Sequence, residues 1–242
     1  MIDSEQMLTP LETPLERGGL LVDGVYHRLR DAILSNQLPP GTALSVPEFA
    51  RRLQVSRSPI REAVQRLVYD GLAVNVAHRG AEVAGVDFAD LQQLYEVREV
   101  LEGLAARLAT ERIAAAGLER LREILDAHEE VVDSGDERGH IEMDMAYHVG
   151  IHQAAQSAYL SETLQRIHGK SHLAYYQLWR GLDDRRLALE EHRRVFEAML
   201  SGDAAGADQA ARNHIVQLRV RLSRHQRNGR LLPSSPEGAG VL

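Results

Sequence analysis

Residues 55–67 read VSRSPIREAVQRL, and the spacing within this stretch decides the fold of the N-terminal part of the chain. Ile60, Ala63, Val64 and Leu67 recur at about 100° per residue, which predicts a helix with one apolar side. Ser56 precedes it as a plausible N-cap, and Gly71 stands where a C′ glycine would end it. Arg57, Ser58, Arg61 and Gln65 lie on the opposite side. That side is either a solvated arginine face or a surface that reads DNA, and periodicity alone does not separate the two.

Working outward, Val22, Val25, Tyr26, Leu29 and Ile33 recur at helical spacing, and Pro39-Pro40 supplies a stop. A short helix fits VPEFARRL, with Pro47 in its first turn and Phe49, Ala50 and Leu53 facing inward. Downstream, Leu72–Val76 and Ala81–Val83 are two β-branched pieces around His78-Arg79-Gly80, the pattern of a small hairpin. Three helices and a hairpin make a winged helix-turn-helix over residues 22–85. In such a motif the second helix enters the major groove, where arginine forks onto guanine and glutamine pairs with adenine. Ser56 and Ser58 sit where hydroxyls and the helix N-terminus would meet phosphate. His78, Arg79 and Gly80 put a cation and a flexible glycine at the hairpin tip, suited to a minor groove or a backbone.

The net charge of −7 over 242 residues argues against nucleic acid only if it is taken whole. Residues 22–85 hold eight arginines against six acids, or +2; residues 86–242 hold nineteen basic residues against twenty-five acids, or −6; residues 1–21 add −3. A mildly basic module thus precedes an acidic one. The absence of cysteine excludes disulfides, thiolate metal sites and a cysteine nucleophile. Residues 1–21 are acidic, without an apolar leader core, and read as a mobile arm; a cytoplasmic address is expected. No apolar run is long enough to span a bilayer, so no membrane association is expected.

Beyond a short junction at Val86–Asp87 the pattern is helical almost throughout: roughly 87–113, 116–134, 137–155, 158–181 with a break allowed at Gly169, 184–200 and 204–226. The expected fold is therefore mainly α, an N-terminal winged helix-turn-helix followed by an all-helical antiparallel bundle of six or seven helices over 86–226. Residues 227–242 read as a disordered tail. Tyr175, Tyr176 and Trp179 form an aromatic cluster expected in a core or pocket wall. Gly169-Lys170-Ser171 is the end of a phosphate-loop pattern, but Leu164 occupies its first glycine and the segment reads as helix.

Asp144 and His148 stand four apart on one predicted helix and project from the same face. His192 and His214 lie on two later helices. One carboxylate and three imidazoles converging in a bundle would hold zinc, nickel or a similar divalent ion, with positions left for water or a ligand. Taken singly, each of these histidines reads as a surface or hydrogen-bonded one, and the chain has eleven.

The stretch LSVPEFARRLQVSRSPIREAVQRLVYDGLAV, followed by HRGAEV, strongly resembles the DNA-binding domain of GntR-family bacterial transcription regulators, with their pattern L-A-x-x-L-G-V-S-R-[ST]-P-[VI]-R-E-A-L. The resemblance implies DNA contacts from Arg57, Ser58 and Arg61, support from Ser56, and wing contacts from His78, Arg79 and Gly80. Gln54 departs from the usual turn glycine, which implies some strain, and Pro47 stands where some members carry a DNA-contacting arginine. Glu62 is read as structural, because an acid aimed at phosphate would be repelled.

DLQQLYEVREVLEGLAARLA, the segment DMAYH over Asp144–His148, and the later histidines resemble the all-helical effector (FCD) domain of the FadR-like subgroup. That resemblance implies metal binding by Asp144, His148, His192 and His214, and a small organic acid as effector, bound to the metal through its carboxylate. Arg98 is then the candidate partner for the acid, or alternatively an intrahelical partner of Glu102. His152 is either pocket-lining or exposed. AAQSAYL, with Gln156 and Ser157, departs from the Ser-Gly-Asn of many members. The expectation is a metabolite-responsive, homodimeric regulator of a double-stranded operator, in the commoner case a repressor, and not an enzyme. A metal-dependent hydrolase using the same Asp/His set is the rival, with a helical protein-binding module as a second.

Overall fold

The computed structural model describes residues 21–85, 88–178 and 182–227. The expected mobile arm, the Val86–Asp87 junction, Trp179 and nearly all of the expected tail lie outside them, as do the side chains of Tyr175 and Tyr176. The chain divides into two compact units, the first carried mainly by the residues before Phe88, with Gly169–Tyr176 grouped to it, and the second by Phe88–His168 and the helices from Gln177 on.

In the first unit, α1 (Leu21–Leu34), α2 (Val46–Arg52) and α3 (Arg57–Tyr69) precede a hairpin of β1 (Ala73–Val76) and β2 (Gly80–Val83). The core is the expected one: Val25, Leu29, Ile33, Phe49, Leu53, Ile60, Ala63, Val64 and Leu67 are all buried. Ser56 holds the N-cap position of α3, but its side chain makes no capping hydrogen bond. At the other end Gly71 takes φ +71°, its N–H donating to Val68 O at 3.0 Å and that of Leu72 to Leu67 O at 2.9 Å. These two bonds close the helix with a left-handed C′ residue, a conformation glycine adopts without steric cost.

The strands pair antiparallel with Ala73 opposite Val83 and Val76 opposite Gly80. The tip is therefore Ala77-His78-Arg79, one residue earlier than expected. His78 shares the positive-φ role with Gly80, at φ +61° and +89°. Ala43 adds an isolated bridge to Glu82, so the residues before α2 brace the wing. Tyr26 ties α1 to the end of α3 through its hydroxyl, which donates to Asp70 Oδ2 at 2.5 Å. Arg66 pairs with Asp23 and stacks over the Tyr26 ring at 4.3 Å.

The second unit is built on α4 (Phe88–Arg112), α5 (Ala115–Ser134), α6 (Glu137–Ala154), α7 (Ala158–Leu178), α8 (Leu182–Leu200) and α9 (Ala204–Arg227). These are six helices among the described residues, each within a few residues of its expected limits. Helix α7 runs unbroken through Gly169, because glycine weakens a helix without forbidding it. Asp136 caps α6 by accepting from Gly139 N at 3.0 Å.

The apolar core gathers Ala105, Ala106 and Ala109 with Leu121, Leu125, Ile151, Leu164, Leu189, Val195 and Phe196. The small residues of α4 admit close neighbours. A β-carbon at Gly103 would lie 2.7 Å from Asp208 Oδ1 and 2.8 Å from Arg212 Cγ, so glycine is what lets α9 pack this near. No helix among the described residues is long and apolar enough to cross a membrane.

Candidate nucleic-acid interface and metal centre

On α3 the two sides separate as periodicity requires. Ser56, Arg57, Ser58, Arg61 and Gln65 are exposed while Ile60, Ala63, Val64 and Leu67 are buried, and His78, Arg79 and Gly80 are exposed at the wing. Ser58 Oγ donates to Glu62 Oε1 at 3.1 Å, so Glu62 serves a local hydrogen bond and the serine would have to exchange partners to meet phosphate. Gln54, in the turn between α2 and α3, takes φ +53°. The glycine that the helix-turn-helix pattern favours here is thus replaced by a residue that pays for a β-carbon in the left-handed region.

In the second unit the polar residues that matter lie on buried stripes. Along α4 the buried positions are Leu91, Tyr95, Arg98, Glu102, Gly103, Ala105, Ala106 and Ala109, one continuous side of the helix, so a charged pair occupies core positions. Arg98 and Glu102 are each 3% exposed. Arg98 Nε donates to Glu102 Oε1 at 3.0 Å, while its Nη2 lies 3.4 Å from His148 Nε2. Of the two alternatives for Arg98, the intrahelical pair with Glu102 is the one present, and the guanidinium also reaches His148. His152 is buried rather than exposed, with Nε2 2.9 Å from Glu102 Oε2, and His148 Nδ1 lies 3.4 Å from the same oxygen. Burial alone would raise the Glu102 carboxyl, but His148, His152 and Arg98 outweigh it and hold the group well below the usual carboxylate range.

His148 of α6, His192 of α8 and His214 of α9 come together, their candidate ligand atoms all within 4.8 Å of one another. Asp144 stands beside them, Oδ1 3.5 Å from His192 Nε2. All four residues expected to share a site are thus in one place. His192 is 1% exposed, yet neither of its ring nitrogens makes a hydrogen bond. A buried imidazole with both nitrogens in that condition is costly unless something else engages it. The backbone around it is held: Tyr147 donates its hydroxyl to His192 O at 2.8 Å and stacks on the ring at 4.6 Å. Burial pushes His192 well below the ordinary imidazole range and lowers His214 as well, keeping both in the neutral form that ligates metals. Three nitrogens and a carboxylate suit zinc, nickel or a similar divalent ion.

Sequence reasoning missed three histidines here, His128, His140 and His168, and gave Glu102 no part in the cluster. Glu102, His148 and His168 form a second group close enough to share a cation. His128 and His140, both buried, lie Nε2 to Nδ1 at 2.6 Å, with His128 5.7 Å from the His192 ring. Burial lowers both, His140 to about 4. The available signal was a polar residue at a core-period position: His128 continues the buried spacing of Leu121 and Leu125, and His168 that of Leu160 and Leu164.

A winged helix with an exposed arginine face, carried on one chain with a helical unit that buries a histidine cluster, is the architecture of a DNA-binding transcription regulator with a second, helical domain. Residues 21–83 match the family described as bacterial regulatory proteins, gntR family, and residues 93–217 match the FCD domain. The chain belongs to the GntR family, in the branch that carries an FCD domain. It is 31% identical over 198 residues to the "Probable D-xylose utilization operon transcriptional repressor" of Paenarthrobacter nicotinovorans, covering 79% of this chain and 86% of that one. Among solved structures, E. coli McbR/YncC shares the fold with a TM-score of 0.77 at 21% identity, over 86% of this chain and 99% of that one. The structure titled "Metal-free FCD domain of TM0439 a putative transcriptional regulator" aligns with a TM-score of 0.51 at 19% identity, over 60% of this chain and 99% of that one. The family and the repressor relative are transcription regulators, and the hydrolase alternative finds no support among them.

Proposed function

We propose that this regulator is a cytoplasmic homodimer acting as a metabolite-responsive repressor. Each winged helix, within residues 22–85, takes one half of a near-palindromic operator, with Arg57, Arg61 and Gln65 at base edges. Ser56, Ser58, His78, Arg79 and Gly80 contact the backbone or minor groove. The helical domain, residues 86–226, dimerises and holds a divalent metal through Asp144, His148, His192 and His214. When bound, the metal supplies a Lewis-acidic seat for the carboxylate of a small organic acid. Arg98 and His152 line that seat: Arg98 offers a guanidinium to the acid, and Glu102 holds both side chains in place. The effector then favours one arrangement of the DNA-binding domains and lowers operator affinity.

One observation carries the sensory half of the proposal: the buried meeting of His148, His192 and His214, with His192 making no hydrogen bond through either ring nitrogen. Elemental analysis of the purified protein is expected to find a stoichiometric divalent metal that is lost in His192→Ala and His214→Ala. A thermal-shift screen of the metallated protein is expected to single out a small carboxylate. Metal retained in full by both variants would place the ligands elsewhere.

A further inference from the structure

Behind the histidine cluster stands a second layer that the ligand set does not use. Glu191 precedes His192 on α8, and its carboxylate is clamped between two residues of α9, seven apart and so on one face of that helix. Arg221 Nη1 donates to Glu191 Oε1 at 2.6 Å and Nη2 to Oε2 at 2.8 Å. His214 Nδ1 lies 2.8 Å from Oε2. Glu191, Arg221 and His214 are each less than a tenth exposed.

The two-pronged guanidinium keeps the carboxylate ionised. An ionised carboxylate only accepts hydrogen bonds. The nitrogen facing it must therefore carry a proton, and in the neutral ring that leaves Nε2 of His214 with its lone pair and without hydrogen.

Building on the proposal that these histidines hold a metal, we infer that Glu191 and Arg221 are positioning residues. They fix His214 in the Nδ1–H tautomer and in one ring orientation, so that its Nε2 is ready to ligate. Helix α8 thus contributes twice to the centre, once through His192 and once through the neighbour that sets His214. A ligating histidine whose other nitrogen is held by a carboxylate is a more basic and better-oriented donor, and loss of such a partner weakens metal affinity by about 10–100-fold.

The test uses the full-length protein. Long-range proton–nitrogen correlation spectra of metal-free protein report the tautomer of each histidine, and His214→Asn assigns the signal. Wild type is expected to show His214 protonated at Nδ1 and bare at Nε2. In Glu191→Gln, Arg221 claims the amide oxygen and the amide NH2 turns to His214, which must now accept at Nδ1. The proton moves to Nε2, and Zn2+ affinity, read by chelator competition, falls about 10–100-fold. Arg221→Lys, which keeps a cation on the carboxylate, is expected to retain the wild-type tautomer with a smaller loss.

A wild-type His214 protonated at Nε2 overturns the inference even if no variant folds. So does a Glu191→Gln protein that loses Zn2+ affinity without a tautomer change, since that would be a merely structural effect. Zn2+ affinity within twofold of wild type in that variant overturns it too. If wild type binds no Zn2+ at all, the metal proposal falls while the tautomer spectra still decide what Glu191 and Arg221 do.

Discussion

Replacing Glu102 by leucine would leave the Arg98 guanidinium buried without an anion, and the structure indicates how much that costs. Both side chains are 3% exposed, so solvent can replace little of what is lost. The carboxylate accepts from Arg98 Nε at 3.0 Å and lies 2.9 Å from His152 Nε2 and 3.4 Å from His148 Nδ1. Removing one partner of a buried ion pair typically destabilises by about 3–5 kcal/mol. The converse change, Arg98→Met, should cost less, because the two histidines still face the carboxylate.

The double variant should recover part of the loss, since a buried pair replaced by apolar groups of similar size is often nearly neutral. Urea denaturation of the four proteins, followed by circular dichroism of the helical signal, gives the cycle directly. A Glu102→Leu loss below about 1 kcal/mol, the range of exposed pairs, would refute the reasoning. An equal loss in Arg98→Met would refute the asymmetry.

Three further outcomes follow from the first unit. Gln54 sits at φ +53°, where a β-carbon costs about 1–2 kcal/mol; Gln54→Gly is expected to raise the unfolding midpoint, and an unchanged or lower midpoint would mean that the turn stores no strain. Tyr26 is pushed up to about 12 by burial and by its hydrogen bond to Asp70. A raised pKa contributes stability that is fully present below the unfolded value of about 10 and is lost as pH climbs through the folded value. The stability advantage of wild type over Tyr26→Phe should therefore shrink between those two pH values, and a constant difference would refute the assignment. Arg57→Ala and Arg61→Ala should each weaken specific operator binding by about 1–3 kcal/mol in titrations at fixed salt. Equal losses on specific and random DNA would reassign both residues to phosphate.

Much of this molecule is readable along the chain because helix periodicity is a local property. Ile60, Ala63, Val64 and Leu67 announce α3 and its buried side, and the exposed row of Arg57, Ser58, Arg61 and Gln65 follows by geometry. The limits of α4 to α9 follow in the same way, whereas the strained turn at Gln54 was implied only by the resemblance to a pattern with glycine there. The exposure of His152 was not decided by its place one turn beyond His148. Its burial comes from Glu102, fifty residues away on another helix.

What the sequence determined by itself is which residues share a side of each helix and where each helix stops. Only the tertiary structure decided what those sides face. Asp144 and His148 share a turn of α6, but their meeting with His192 and His214 depends on how α6, α8 and α9 pack, and no single helix encodes that. Arg98 could not be assigned to Glu102 or to a bound acid from spacing; its pair with Glu102 and its approach to His148 depend on how α4 lies against α6. Glu191, His128, His140 and His168 passed unnoticed for the same reason: a titratable residue at a core position acquires its role from whichever side chain the neighbouring helix presents to it.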